Sequence, residues 1–304
     1  MFLASHDVLR ACLLAACLVQ PVVAADFEVT EIAPAVFVHQ GAYAEIDDPA
    51  RGDSANIGFV IGARCVAVID TGGSIATGRA LRAAIAAHTD RPVCYVINTH
   101  AHFDHVLGNA AFRDDDPTFV GHAALPEALA ASREYFLERF AVELADAPAI
   151  IAPTLTVDDT HTLDLGGRTL RLEAHPVAHS AADLTVVDDA THTLFTGDLL
   201  FVERLPAFDG RLSGWRGWMQ TVGGADFAHV VPGHGPPRVA WPAALDAQRR
   251  YLDSLADAAR TALDAGEFLE DVTADAGAHP PAGWQATGTH ARNLARVYRE
   301  LEWE

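Results

Sequence analysis

Basic residues are scarce in this chain. Lys and Arg together number 21 against 41 Asp and Glu, and the resulting net charge of -20 repels phosphate backbones and anionic lipid. Nucleic acid is therefore not an expected partner. No short-period repeat or low-complexity segment stands out, and no membrane span is expected, because the apolar stretch ACLLAACLVQPVVA is too short to cross a bilayer stably. Cysteine is rare as well, with 4 in 304 residues. What is present is the composition of a soluble globular chain: half apolar, a fifth charged, and long enough for a sizeable core in one large or two small domains.

The first 25 residues differ in kind. Arg10 closes a short basic region, the apolar stretch follows, and Val23 and Ala25 fit a signal-peptidase site before Asp26, so 1–25 reads as a removed signal peptide. The competing reading is a lipobox at Leu14-Ala15-Ala16-Cys17, which would anchor the chain through a lipid on Cys17. Cleavage after Ala25 is preferred, because only six residues separate Arg10 from Cys17. Either route exports the chain to the periplasm or beyond, an oxidising compartment. Cys65 and Cys94 would then be the remaining thiols, each near the start of a neighbouring strand. They could pair, or remain two buried apolar side chains.

From Phe27 the pattern is β-rich, with runs FEVTEIAPAVFVHQG, NIGFVIG and CVAVIDTG, interrupted by the polar loop GAYAEIDDPARGDSA. After Asp70 strands and helices alternate: SIATGRALRAAIAAH as helix, PVCYVINTH as strand, a short helix from Asp104, PTFVGH as strand, and LPEALAASREYFLERFAVEL as helix. A second strand-rich half begins at TLTVDDTHTLDLGGRTLRLEAHPV and continues through DLTVVDDATHTLFTGD and AHVVPGHG, with turns at Gly166-Gly167 and Asp188-Asp189. Residues 26–240 thus read as one domain. The segment 241–304 reads as helices packed on it, broken at AGAHPPAG.

Chemistry concentrates in NTHAHFDHVLGN, where His100, His102, Asp104 and His105 fall within six residues at the end of the strand VCYVI. His100 and His102, two apart in extended chain, can serve one metal ion. Asp104 and His105, at the start of the next helix, can face a second. Each ion needs three or four ligands, so further donors are required at other strand ends, and His179, Asp198 and His234 occupy such boundaries.

These residues resemble the metallo-β-lactamase superfamily. Its T-H-x-H-x-D-H motif corresponds to Thr99-His100-Ala101-His102-Phe103-Asp104-His105, and VIDTG at Val68–Gly72, His179, TGD ending in Asp198, and PGHG containing His234 follow in the family's order. The resemblance implies a four-layer αββα sandwich with two zinc ions, iron or manganese being alternatives. One ion would be held by His100, His102 and His179, the other by Asp104, His105 and His234, with Asp198 bridging and Asp70 buttressing the loop without binding metal. It also implies a hydrolase in which two ions about 3.5–4 Å apart generate a bridging hydroxide that attacks an acyl carbonyl, with Asp104 as the catalytic proton handler. The substrate would be a small ester, thioester, lactone or amide.

His102 argues against the flavodiiron branch, which carries Glu there, and Asp198 stands where two-zinc β-lactamases carry Cys or lack a bridging carboxylate. Literal β-lactam hydrolysis is an alternative, as is a non-catalytic accessory role. The surrounding text, VFVHQGAYAE, CYVINTHAHFDHVLGN, GDLLFVERLPAFDG and WPAALDAQRRYL, is similar to the quinoprotein relay system zinc metallohydrolases, which implies an exported protein associated with a quinoprotein dehydrogenase system. Arg204 and Trp215 are the candidate substrate contacts, alongside Arg51, Asp53, Phe208 and Arg211. His39, His88, His122, His161, His175, His192, His229, His279 and His290 read as structural, and Asp158, Asp159, Asp188 and Asp189 as turn carboxylates without partners.

Overall fold

The computed structural model describes residues 27–146 and 149–303. The expected signal peptide, with Cys17 and Ala25, lies outside them. The strand VAVI explains the architecture in miniature. Ala67 and Ile69 enter one core and Val66 and Val68 another, because successive side chains on a strand point to opposite faces. A strand buried on both faces must lie between two layers.

Among the described residues the first sheet runs in chain order: β1 (Thr30–Ala33), β2 (Val36–His39), β3 (Ile57–Ile61), β4 (Val66–Ile69), β5 (Val93–Ile97), β6 (Thr118–His122) and β7 (Leu155–Val157). Pairing is antiparallel through β4 and parallel beyond it. The second sheet contains β8 (Thr160–Asp164), β9 (Thr169–Ala174), β10 (Leu184–Asp188), β11 (Thr193–Phe195) and β12 (His229–Val231), in the order β12-β11-β10-β9-β8. The helices are α1 (Ile75–His88), α2 (Phe103–Val106), α3 (Leu125–Arg139), α4 (Leu212–Val222), α5 (Leu245–Ala265), α6 (Leu269–Ala278) and α7 (His290–Leu301).

The inner core brings Val36, Val60, Ile69, Ile97 and Val120 of the first sheet against Leu163, Leu170, Leu172, Val186 and Phe195 of the second. Leu81 and Ile85 of α1 cover the outer face of the first sheet, on Phe59, Val68 and Val96. Outside the second sheet, Trp215 and Met219 of α4, Leu252 and Leu255 of α5 and Leu294 and Val297 of α7 join Leu194 and Val230. The layers are helix, sheet, sheet, helix, as expected.

Two local expectations change, and one open choice closes. TLTV does not open the second sheet: Leu155–Val157 pairs in parallel with β6 and completes the first, and the chain crosses over at Asp158 and Asp159. Period-2 alternation marks a strand but not its sheet. Asp188 is not a partnerless turn residue. It is fully buried, takes Nε and Nη2 of Arg168 at 2.8 and 2.7 Å, and also accepts from Thr191. The choice left open for the cysteines resolves to a disulfide between Cys65 and Cys94, Cα atoms 5.8 Å apart, beside a register shift in the β4–β5 pairing.

The Gly166-Gly167 turn forms between β8 and β9. Both glycines have positive φ (90° and 77°), and Asp164 accepts both amide N–H groups. Among the described residues no helix is long and apolar enough to cross a membrane.

Candidate metal centre

Five strand ends meet at one edge of the sandwich. Asp70 ends β4; His100 and His102 follow β5, with Asp104 and His105 on α2. His179 lies between β9 and β10, Asp198 in the one-turn helix Gly197–Leu199 after β11, and His234 after β12. The fold brings them into two groups, His100, His102, His179 and Asp198, and Asp104, His105 and His234, with donor atoms in each within 4.8 Å of one another.

Asp198 faces both groups. Its Oδ2 is 3.5 Å from Nε2 of His100 and of His179, while Oδ1 is 3.1 Å from His105 Nε2 and 3.3 Å from His234 Nε2. Asp104 Oδ2 lies 3.5 Å from His234 Nε2 and Oδ1 3.9 Å from His105 Nε2. Gly233 permits this approach, since a Cβ there would fall 2.1 Å from Asp198 Oδ1.

The surrounding groups fix which ring nitrogen faces inward. Thr99 Oγ1–H donates to Asp70 Oδ2 at 2.7 Å, so Oγ1 accepts from His100 Nδ1–H at 3.0 Å. His105 Nδ1–H donates to Asp70 Oδ2, His179 Nδ1–H to the Ala207 carbonyl and His234 Nδ1–H to the Ser54 carbonyl, at 2.8, 3.0 and 2.8 Å. His102 is reversed. Its Nε2–H donates to Asp209 at 2.7 Å, and Nδ1 lies 3.0 Å from His179 Nε2. Every imidazole thus turns a lone pair toward the cluster, the arrangement metal ligation requires.

The donor set fits metal ions. Nε2 of His100 and His105 and Oδ1 of Asp198 are buried without a hydrogen-bond partner, and borderline-soft imidazole with carboxylate is a zinc-type donor set. Burial drives His179 down to about 3 and His100 well below the ordinary range, so both present neutral nitrogen. Burial also opposes charge on His102, yet the carboxylates of Asp198 and Asp209, which accept its hydrogen bonds, lift it to about 9, so ligation there would displace a proton. Asp104 and Asp198 are penalised by burial but held below the usual carboxylate range, Asp104 by His105 and His234, and Asp198 by His234 and His105.

Beside the cluster opens a cavity of about 510 Å3, lined by Asp104, Asp198, His234, Arg204, Phe103 and Phe136 among others. Of the proposed substrate contacts, Arg204 reaches it. Trp215 does not: it is fully buried and its Nε1–H donates to the Leu199 carbonyl, with His179 at 5.3 Å and Phe208 at 5.5 Å between ring centroids. An apolar ring with one donor is better satisfied in the core, where it backs His179. Arg51 is committed to Glu143 at 2.6 Å and Asp53 to His39 at 2.9 Å, Phe208 is buried, and Arg211 is an exposed helix cap. Sequence reasoning missed Asp209, which orients His102, and Ser54, whose Oγ–H donates to Asp104 Oδ2 at 2.8 Å. Neither lies in a metal-ligand spacing, so no local signal marked them.

Residues 50–290 match the model of the family described as the metallo-beta-lactamase superfamily. No curated protein matches the chain by sequence. Among solved structures, a stereoselective inverting sec-alkylsulfatase from Pseudomonas sp. superposes with TM-score 0.66 at 17% identity, covering 90% of this chain and 50% of the other. The chain thus spans about half the length of that enzyme. A metallo-beta-lactamase from Pontibacter korlensis superposes with TM-score 0.55 at 22% identity, covering 69% and 91% of the two chains. One from Erythrobacter litoralis gives 0.52 at 18%, covering 69% and 90%.

Proposed function

Because the chain belongs to the metallo-beta-lactamase superfamily, we propose that it is a dinuclear zinc hydrolase acting on a small acyl compound, an ester, thioester, lactone or amide. The observation that carries this reading is Asp198, whose two oxygens face separate donor groups, as a bridging carboxylate must. Two zinc ions there would polarise the substrate carbonyl and lower the pKa of water between them toward ~7.

The chain supplies the rest. Asp70 and Thr99 hold His100 and His105 in their ligating tautomers, and Asp209 does the same for His102. Asp104, held below the usual carboxylate range by His105, His234 and Arg204 and fixed through Oδ2 by Ser54, retains Oδ1 to orient the attacking water and accept its proton. Arg204 and the aromatic wall of the cavity position the substrate beside these groups.

Export to the periplasm and association with a quinoprotein dehydrogenase system extend the proposal. Export is supported by the first 25 residues and by the Cys65–Cys94 disulfide, a bond that persists in oxidising compartments. The association is supported by the similarity of the motif flanks. A mature chain whose N-terminus, by mass spectrometry, still contained residues 1–25 would overturn the export claim.

Metal quantitation and a substrate panel test the central reading. Two zinc equivalents per chain are expected, one of them lost in His234→Ala, with turnover of at least one ester, thioester, lactone, β-lactam or secondary alkyl sulfate. Two bound ions without turnover on any of these would refute hydrolysis and leave an accessory role.

A further inference from the structure

Residues 205–211 form neither helix nor strand, yet they hold two imidazoles of the cluster. The Ala207 carbonyl accepts from His179 Nδ1–H at 3.0 Å, and Asp209 Oδ2 accepts from His102 Nε2–H at 2.7 Å. Backbone bonds join the same segment to the loop of His179: Asp209 N–H donates to the His179 carbonyl at 3.1 Å and Arg211 N–H to the Ala178 carbonyl at 2.8 Å. A segment with no regular structure of its own keeps a fixed path only where other elements hold it.

Helix α7 does the holding. Thr289 at its N-cap, then Asn293, Arg296 and Glu300, recur at helical spacing and so share one face. Thr289 Oγ1–H and Asn293 Nδ2–H donate to the Pro206 carbonyl at 3.1 and 2.6 Å, and Arg296 Nε–H donates to the Gly210 carbonyl at 3.0 Å. Glu300 accepts from the N–H groups of Leu212 and Ser213 at 2.8 and 3.2 Å, fixing the start of α4, whose Trp215 packs on His179. Asn293 is the informative member. It is fully buried on a helix whose Leu294 and Val297 join the core, where an apolar side chain would avoid the cost of burying an amide. Its Oδ1 has no partner, while Nδ2 reaches both Pro206 and, at 2.9 Å, Tyr251 Oη. The position requires the donor.

The other donor group is oriented from the opposite half of the chain. His105 donates to Asp70, His234 to the Ser54 carbonyl, and Asp104 accepts from Ser54 Oγ–H. Among the described residues no hydrogen bond joins residues 205–211 to any of these three.

Resting on the two-metal reading, we propose that α7 is a positioning element for one half of the centre: Asn293 and Arg296 hold the Pro206 and Gly210 carbonyls, and through that segment set the rings of His179 and His102 and the zinc affinity of their group alone.

Competition with a chromogenic chelator, one donor group at a time, tests this without turnover. His234→Ala leaves the group of His100, His102 and His179, and His179→Ala leaves that of Asp104, His105 and His234. In the His234→Ala background, Asn293→Leu, which keeps the buried volume, should lower zinc affinity about tenfold and Arg296→Ala about threefold, while Arg296→Lys, which keeps a donor, should retain most of it. In the His179→Ala background none of the three should shift the affinity by more than about twofold. If Asn293→Leu does not fold, the exposed Arg296 and its two variants give the same reading. Equal losses in both backgrounds would mean that α7 only stabilises the fold, and no loss in the first would mean that residues 205–211 keep their path without it; either overturns the proposal. A wild-type chain that binds no zinc would refute the two-metal reading itself, whereas two equivalents in wild type beside either of those results would refute the role of α7 alone.

Discussion

Asp70 carries three hydrogen bonds on one carboxylate, from Thr99 N–H at 2.8 Å, Thr99 Oγ1–H at 2.7 Å and His105 Nδ1–H at 2.8 Å. It holds a positive φ of 55°, a conformation a non-glycine residue keeps only when its surroundings demand it. The residue is therefore a positioning device for two imidazoles, reaching His105 directly and His100 through Thr99. Asp70→Asn keeps size and one oxygen but turns an N–H2 toward the His105 or Thr99 donors. Zinc affinity of the group containing Asp104, His105 and His234 should fall about 10- to 100-fold, measured by competition with a chromogenic chelator, with the far-UV spectrum unchanged. Unaltered affinity would show that Asp70 only terminates β4. The VIDTG motif made this residue legible, whereas Ser54 and Asp209 meet the ligands solely through folding.

At the scale of elements, residues 41–56 act as a strap over the His/Asp cluster. Tyr43 Oη–H donates to Glu203 at 2.5 Å, Glu45 accepts from Gly288 N–H at 2.8 Å, and Asn56 ties its end to the Pro232 and Gly233 carbonyls at 2.9 and 2.7 Å, next to His234. Beyond α3, Glu143 takes Arg51 Nε–H at 2.6 Å, and the Arg51 guanidinium lies 5.3 Å from the Phe140 ring centre. The composition of GAYAEIDDPARGDSA predicted a long loop, but four distant segments decide its path. Arg51→Met would leave Glu143, 12% exposed and already with one oxygen unsatisfied, without its partner. A loss of about 2 kcal/mol, read as a lower urea midpoint, is expected. No change in the midpoint would mean that the strap is held by its other contacts.

The whole molecule is two sheets that must stay in register for the two His/Asp donor groups to meet. Arg168, at the β8–β9 turn, reaches across: Nη1 donates to the carbonyls of Pro34 and Ile61 in the first sheet at 3.0 and 3.2 Å, while Nε and Nη2 engage Asp188 in the second. Burial pushes Asp188 up, but Arg168 and Thr191 outweigh it and hold the carboxyl below its ordinary 3.8. A depressed folded value means that the stabilisation is complete above the unfolded value and is lost as pH falls through the folded one. Asp188→Asn should therefore be less stable than wild type in urea at about pH 6, and the gap should narrow at about pH 3. A gap independent of pH would assign the effect to packing.

Sequence alone determined what short-range chemistry can encode. Period-2 and helical patterning marked most elements, Gly166-Gly167 marked a turn, and the spacing of His100, His102, Asp104 and His105 pointed to further donors at His179, Asp198 and His234. Tertiary structure alone decided which sheet Leu155–Val157 joins, that Asp188 is a buried ion-pair partner, that Trp215 packs behind His179 and that Arg204 enters the cavity. The reason is physical. Periodicity and ligand spacing are properties of neighbouring residues, whereas burial, pairing and access to a cavity depend on contacts across tens to hundreds of residues, which exist only after the layers have packed.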